Sequence, residues 1–143
     1  MKKLLLFLFV ALALTGAGRQ DLYNFNEKFG GEYTAYVTEG GGTPVFAVEG
    51  KSVYSVSYDK TDGKQILGET VTIKNNAPDT KEILYKLGAL YHFTSEIGEI
   101  KIIYGFSPRL KRVTLVDNKP VNFQITVTEE RVTVSNPVNL GSY

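Results

Sequence analysis

Cysteine and tryptophan are both absent from the 143 residues, and histidine and methionine occur once each. Without cysteine no disulfide can form, so stability has to come from burial. With no thiolate and a single imidazole the chain is poorly supplied for zinc, which asks for three or four Cys, His or carboxylate ligands. No cofactor is implied. The lone histidine, His92, sits between Tyr91 and Phe93 with no nucleophile or orienting partner nearby in sequence. Its place near the end of an expected helix gives it an ordinary structural role, because a helix C-terminus favours a cationic imidazole. An excess of either charge is missing too: 16 basic residues face 15 acidic ones. A near-neutral chain has little long-range attraction for polyanions, which argues against nucleic acid as a partner.

Long apolar runs are also lacking, with one exception at the start. Met1-Lys2-Lys3 is basic, Leu4 to Thr15 carries no charge, and the small residues Gly16-Ala17-Gly18 follow. This is the layout of a secretory signal. Arg19, Gln20 and Asp21 end the run short of the roughly 20 apolar residues a bilayer-spanning helix needs. Residues 1–18 are therefore expected to be cleaved, after Gly18 or after Ala17, with an uncleaved anchor as the alternative. No cysteine follows to carry a lipid. Removing 18 of 143 residues leaves 125, and it takes away two lysines and no acid, so the remainder carries one net negative charge. That length suits one domain with one core. The expectation is a protein exported to the cell surface, with 19–143 as a single α+β domain and no membrane span after cleavage.

Within 19–143 the periodicity alternates between helix and strand. Leu22, Phe25 and Phe29 have helical spacing, with Asp21 as N-cap and Gly30-Gly31 as stop. From Glu32 to Thr38 the period is two, and strands are also expected over Pro44–Val48, Ser52–Tyr58 and Val71–Lys74. The polar stretch Asp59 to Gly68 reads as a loop, as does Gly40-Gly41-Gly42. Pro78-Asp79 with Glu82 three residues on predicts a helix start, and Ile83, Leu84, Leu87, Leu90 and Tyr91 form a stripe that carries the helix to Phe93. Strands over Glu99–Phe106, Arg112–Val116, Val121–Thr128 and Arg131–Ser135 follow. In the third of them Phe123, Ile125 and Val127 alternate with Gln124, Thr126 and Thr128, which predicts one covered face and one wet face. With connections this short, an antiparallel sheet carrying about two helices on one face is the simplest assembly.

Three short stretches near the end carry a family likeness. Tyr104-Gly105-Phe106-Ser107-Pro108, Asn122-Phe123-Gln124 and the closing Val134-Ser135-Asn136-Pro137 through Tyr143 together resemble the YwmB-like family of secreted Firmicute proteins. Ser135-Asn136 stands where that family usually has Gly-Thr, and Gly141-Ser142 replaces an acidic residue before the final tyrosine. The resemblance implies a curved antiparallel sheet with helices on its convex side, similar to TATA-box-binding protein. It implies no catalytic residue and no ligand.

Few side-chain groupings suggest chemistry. Arg109, Lys111, Arg112 and Lys119 form a modest basic cluster that could touch an anionic envelope polymer, or simply guard a strand edge. Tyr36, Tyr54 and Tyr58 could share one sheet face, since Tyr54 and Tyr58 have equal parity on one expected strand. Asp59, Asp62 and Glu69 lack the spacing of a calcium loop, and Lys60 and Lys64 offset them, so they read as a solvated turn. Gly40-Gly41-Gly42 lacks the Lys-Ser/Thr of a phosphate loop. Two readings of function result. The first is a non-catalytic extracytoplasmic binding or assembly module contacting a protein or envelope polymer through the tyrosine face. The second is a small cell-wall hydrolase using the carboxylates Glu96 and Glu99.

Overall fold

The computed structural model describes residues 19–40, 43–74 and 77–140. The expected signal over 1–18, Gly41 and Gly42 of the glycine loop, and Gly141-Ser142-Tyr143 of the family likeness lie outside the described residues. In chain order the elements are α1 (Tyr23–Phe29), β1 (Glu32–Val37), β2 (Phe46–Val48), β3 (Lys51–Val56), a 3-10 turn (Tyr58–Lys60), β4 (Ile66–Ile73), α2 (Thr80–Leu87), β5 (Tyr91–Ile97), β6 (Ile100–Phe106), β7 (Thr114–Val116), β8 (Lys119–Val121), β9 (Phe123–Val127) and β10 (Val132–Asn136). Eight strands form one antiparallel sheet in the order β2-β3-β1-β4-β10-β9-β6-β5, and β7-β8 is a separate hairpin. The chain is therefore α+β with two described helices.

Local signals explain most of these elements. The Asp79 carboxylate accepts a hydrogen bond from the Lys81 amide at 3.3 Å and so caps α2. The helix stops at Leu87 rather than at Phe93. Gly88 takes φ 70°, and its N–H bonds back to the carbonyls of Leu84 and Tyr85, the left-handed stop that glycine provides without strain. Beyond it the Leu90 N–H already donates to the Phe106 carbonyl, and Tyr91 and Phe93 belong to β5. His92 consequently lies on a strand, exposed, and not at a helix C-terminus. At the other hairpin, Val48 pairs with Lys51 across Glu49 and Gly50, both at positive φ, the geometry of a two-residue turn whose twist matches its strands.

Register decides which side chains share a face. Val71 pairs with Tyr33 and with Val134, and Val134 pairs in turn with Ile125, which pairs with Ile103. This face meets Leu22 just ahead of α1, Phe25 and Phe29 of α1, and Ile83 and Leu87 of α2 in one buried apolar cluster. Full burial of each such side chain contributes roughly 1.5–3 kcal/mol. No described helix is long and apolar enough to cross a membrane.

Two boundaries differ from the sequence expectation in ways that matter. The strand expected over Ser52–Tyr58 ends at Val56, because Tyr58 enters a 3-10 turn closed by the Thr61 hydroxyl on the Tyr58 carbonyl at 2.6 Å. The strand expected from Val71 begins at Ile66, which moves Glu69 out of the polar loop and into the sheet. Its partner there is Ala35, on the helix-covered face, where its carboxylate is fully buried.

Candidate functional site

The sheet face turned away from the helices is built from hydroxyls. Thr34 pairs with Thr70 and Thr70 with Ser135; Thr72 pairs with Thr133 and Thr133 with Thr126. In place of the expected wet surface, Thr70, Thr133, Ser135, Gln124 and Thr126 are all buried. Part of the cause is the segment after β10. The Asn139 amide donates to the Gln124 side-chain oxygen at 3.1 Å, and Leu140 lies over Gly68 so closely that a Cβ there would meet its methyl at 2.7 Å.

Beside that segment, a groove of about 540 Å3 remains open over β1, β4 and β10. Its floor carries Thr34, Thr70, Thr72 and Thr133, with Ser55 alongside, and Asn139 and Leu140 border it. Tyr36 and Phe46 form an aromatic wall, their ring centroids 5.8 Å apart at 46°. Arg131 is the one charged side chain lining the groove among the described residues. Its guanidinium makes no ion pair with any described residue.

On the opposite face, beneath α1, lies a buried polar network. Glu69 accepts hydrogen bonds from the Leu22 amide at 2.8 Å, the Tyr33 hydroxyl at 2.5 Å and Arg112 Nη1 at 2.8 Å, with the Tyr23 amide at 3.4 Å. It is this carboxylate, rather than Asp21, that satisfies the first amides of α1. Arg112 reaches Asp21 through Nη2 at 2.8 Å, the Ile66 carbonyl through Nε at 2.9 Å and Asn136 Oδ1 at 3.0 Å. Burial pushes the Glu69 carboxyl above the usual carboxylate range, with Arg112 pulling the other way. Burial also pushes the Tyr33 hydroxyl far above its usual value, and the neighbouring Glu69 charge adds to this.

The residues that carry the family likeness belong to the same internal framework. Asn122 donates to the carbonyls of Ser107 at 2.7 Å and Leu110 at 3.1 Å and accepts from the Ser107 amide at 2.8 Å. Ser107 in turn donates its hydroxyl to the Leu87 carbonyl at the end of α2. Asn136 donates to the carbonyls of Lys111 and Asn122 at 2.6 and 2.7 Å. These amides hold the 107–112 loop against the sheet.

The expected tyrosine face does not assemble. Tyr36 lines the groove, but Tyr54 pairs with Val37 and so points to the other side of the sheet. Tyr58, off the strand altogether, stacks on Tyr23 with centroids 3.7 Å apart and rings 1° from parallel. The basic cluster disperses in the same way. Arg112 is internal, and Lys111 stands 3.6 Å from Asp21. Arg109 borders a depression at the end of α2 with Tyr85 and His92, while Lys119 sits 4.6 Å from the centroid of the Phe93 ring. Arg131, which sequence reading passed over, is the cation at the groove. The only signal for it was its parity with Thr133 at the start of β10.

Glu96 pairs with Lys101 and Glu99 lies in the β5–β6 turn. Both are exposed. Asp59 accepts from the Ser57 hydroxyl beside the 3-10 turn, whereas Glu69 lies buried in β4. Among the described residues no group of three or more His, Asp or Glu is placed to hold a metal ion.

Comparison with models of known protein families, with curated proteins and with solved structures finds no match to this chain.

Proposed function

We propose that this chain is an exported, non-catalytic binding module of the cell envelope, holding a protein or envelope polymer on the helix-free face of its sheet. The observation that carries the reading is the open groove over β1, β4 and β10, with its hydroxyl floor, its aromatic wall and a guanidinium that pairs with no described acid. Its lining offers hydrogen bonds, stacking and one charge, which is the chemistry of recognition in a concave site. The buried carboxylate with the most perturbed environment, Glu69, lies on the other face and is saturated by structural donors. Export is supported by the basic start, uncharged stretch and small residues over 1–18. Kinship with the YwmB-like family, and with it a curved sheet similar to TATA-box-binding protein, is supported by the three short motifs. It is also supported by an antiparallel sheet that keeps both described helices on one face.

Capture from envelope extracts tests the reading. Tyr36→Ala is expected to lose the captured component. Tyr54→Ala, altered on the opposite face, is expected to keep it. Equal capture by both variants would count against the groove. N-terminal sequencing of the protein recovered outside the cell is expected to begin at Arg19 or Gly18, and intact Met1 on cytosolic protein would end the export half of the proposal.

A further inference from the structure

We infer that the groove binds a sugar chain that carries an isolated anionic group, the acid meeting Arg131 and a neighbouring ring lying against Tyr36 and Phe46. This inference rests on the binding-module reading and narrows it to one ligand class. Three features of the lining select that class together. The accessible hydroxyls of Thr34, Ser55 and Thr72 can each donate and accept, which suits a ligand that is itself a field of hydroxyls. The tilted Tyr36–Phe46 pair presents electron-rich ring faces to the C–H face of a pyranose. Arg131 offers a planar fork of donors matched to carboxylate or phosphate, and no described acid lies within ion-pair distance of it.

A peptide is the weaker occupant. Peptides that recognise a sheet usually add a strand at its edge, and this groove lies over β1, β4 and β10, each already paired on both sides. A densely charged polyanion is also disfavoured. Glu129 and Glu130 line an adjoining depression together with Arg131, so a second negative charge close to the first would meet like charge. An acid spaced by neutral rings avoids that repulsion. The volume of about 540 Å3 falls within the roughly 300–1,000 Å3 of small-ligand sites.

Titration calorimetry and amide shift mapping on the full chain test the inference with three probes. These are a hyaluronan tetrasaccharide (a uronate on every second ring), a chitotetraose bearing a single 6-phosphate, and neutral chitotetraose. Either anionic probe is expected to bind about tenfold or more tighter than chitotetraose, as one charge-assisted contact implies, with shifts at Tyr36, Thr72 and Thr133. Whichever of the two prevails identifies the anion as carboxylate or phosphate. Arg131→Gln is expected to erase the preference and Arg131→Lys to keep part of it. Tyr36→Leu, which leaves Arg131 in place, is expected to weaken every probe. Equal binding of neutral and anionic probes, or a preference untouched by Arg131→Gln, overturns the inference. So does silence with all three probes. Silence alongside Tyr36-dependent capture from envelope extracts overturns the sugar while leaving the binding module standing.

Discussion

Replacing Arg112 with methionine keeps an aliphatic stem and removes the guanidinium that meets Glu69 and Asp21 at 2.8 Å each. Asp21 retains Lys111 at 3.6 Å, whereas fully buried Glu69 loses its counter-ion and keeps only neutral donors. Stranding one partner of a buried pair costs roughly 3–5 kcal/mol, a large part of the roughly 5–15 kcal/mol that holds an ordinary domain folded. With a urea m-value of about 1–3 kcal/mol per M, the unfolding midpoint should fall by on the order of 2 M. The pH dependence carries a sign. Burial already raises the Glu69 carboxyl and Arg112 is the largest opposing influence, so the substitution raises the folded-state value further. A carboxyl whose folded pKa lies above its unfolded one binds more protons in the native state between the two values, and its contribution to stability falls as pH rises through that interval. The deficit of Arg112→Met relative to wild type is therefore greatest near neutrality and shrinks on acidification toward about pH 5. Urea melts of both proteins at the two pH values read this directly. A deficit below about 1 kcal/mol at neutral pH, within the range of exposed pairs, or one that grows on acidification, would refute the reasoning. Adding Glu69→Gln to Arg112→Met removes the stranded charge and should recover part of the loss.

Other perturbations follow from single contacts. Asn122→Ala removes three buried hydrogen bonds from the 107–110 turn and should cost about 2–4 kcal/mol, with faster hydrogen exchange at the Ser107 amide as the local sign. Gly105→Ala places a Cβ 2.2 Å from Phe123 Cζ and 2.7 Å from the Tyr91 carbonyl; calorimetry should show a loss of at least about 1–3 kcal/mol, the usual penalty of overpacking. Asp79→Ala removes the α2 cap and should lower stability by about 1 kcal/mol, read from the shift in urea midpoint.

Features whose cause is local were readable from sequence. The Asp79 cap depends on a few adjacent residues. The stripe of Ile83 and Leu87 and the alternation in β1 and β9 follow directly from periodicity. The end of α2 was misread because Leu84, Leu87, Leu90 and Tyr91 fit a period of 3.6 while Tyr91 and Phe93 also fit a period of two. Gly88 between them was the residue to weigh more heavily. The polar network was hidden by distance: Arg112 and Glu69 are 43 positions apart, and neither looks unusual alone. Glu69 did carry one signal, its parity with Val71 and Ile73 on a Thr- and Val-rich run, which puts a carboxylate among core positions and so demands a cation. The tyrosine face failed for a related reason. Period-two reasoning holds only while the strand continues, and β3 stops at Val56 before Tyr58. The groove could not be read at all, since its aromatic wall comes from β1 and β2 and its guanidinium from the residue ahead of β10, which only the sheet order brings together.

That sheet order sets when folding can finish. The block β2-β3-β1-β4 comes from the first half of the described chain and β9-β6-β5 from the second, and β10 is the strand that zips β4 to β9. Because β10 is the last of the described strands in chain order, a nascent chain holds two unjoined half-sheets until residues 132–136 are available. A truncation that removes only those residues should thus leave two exposed edges in search of a partner.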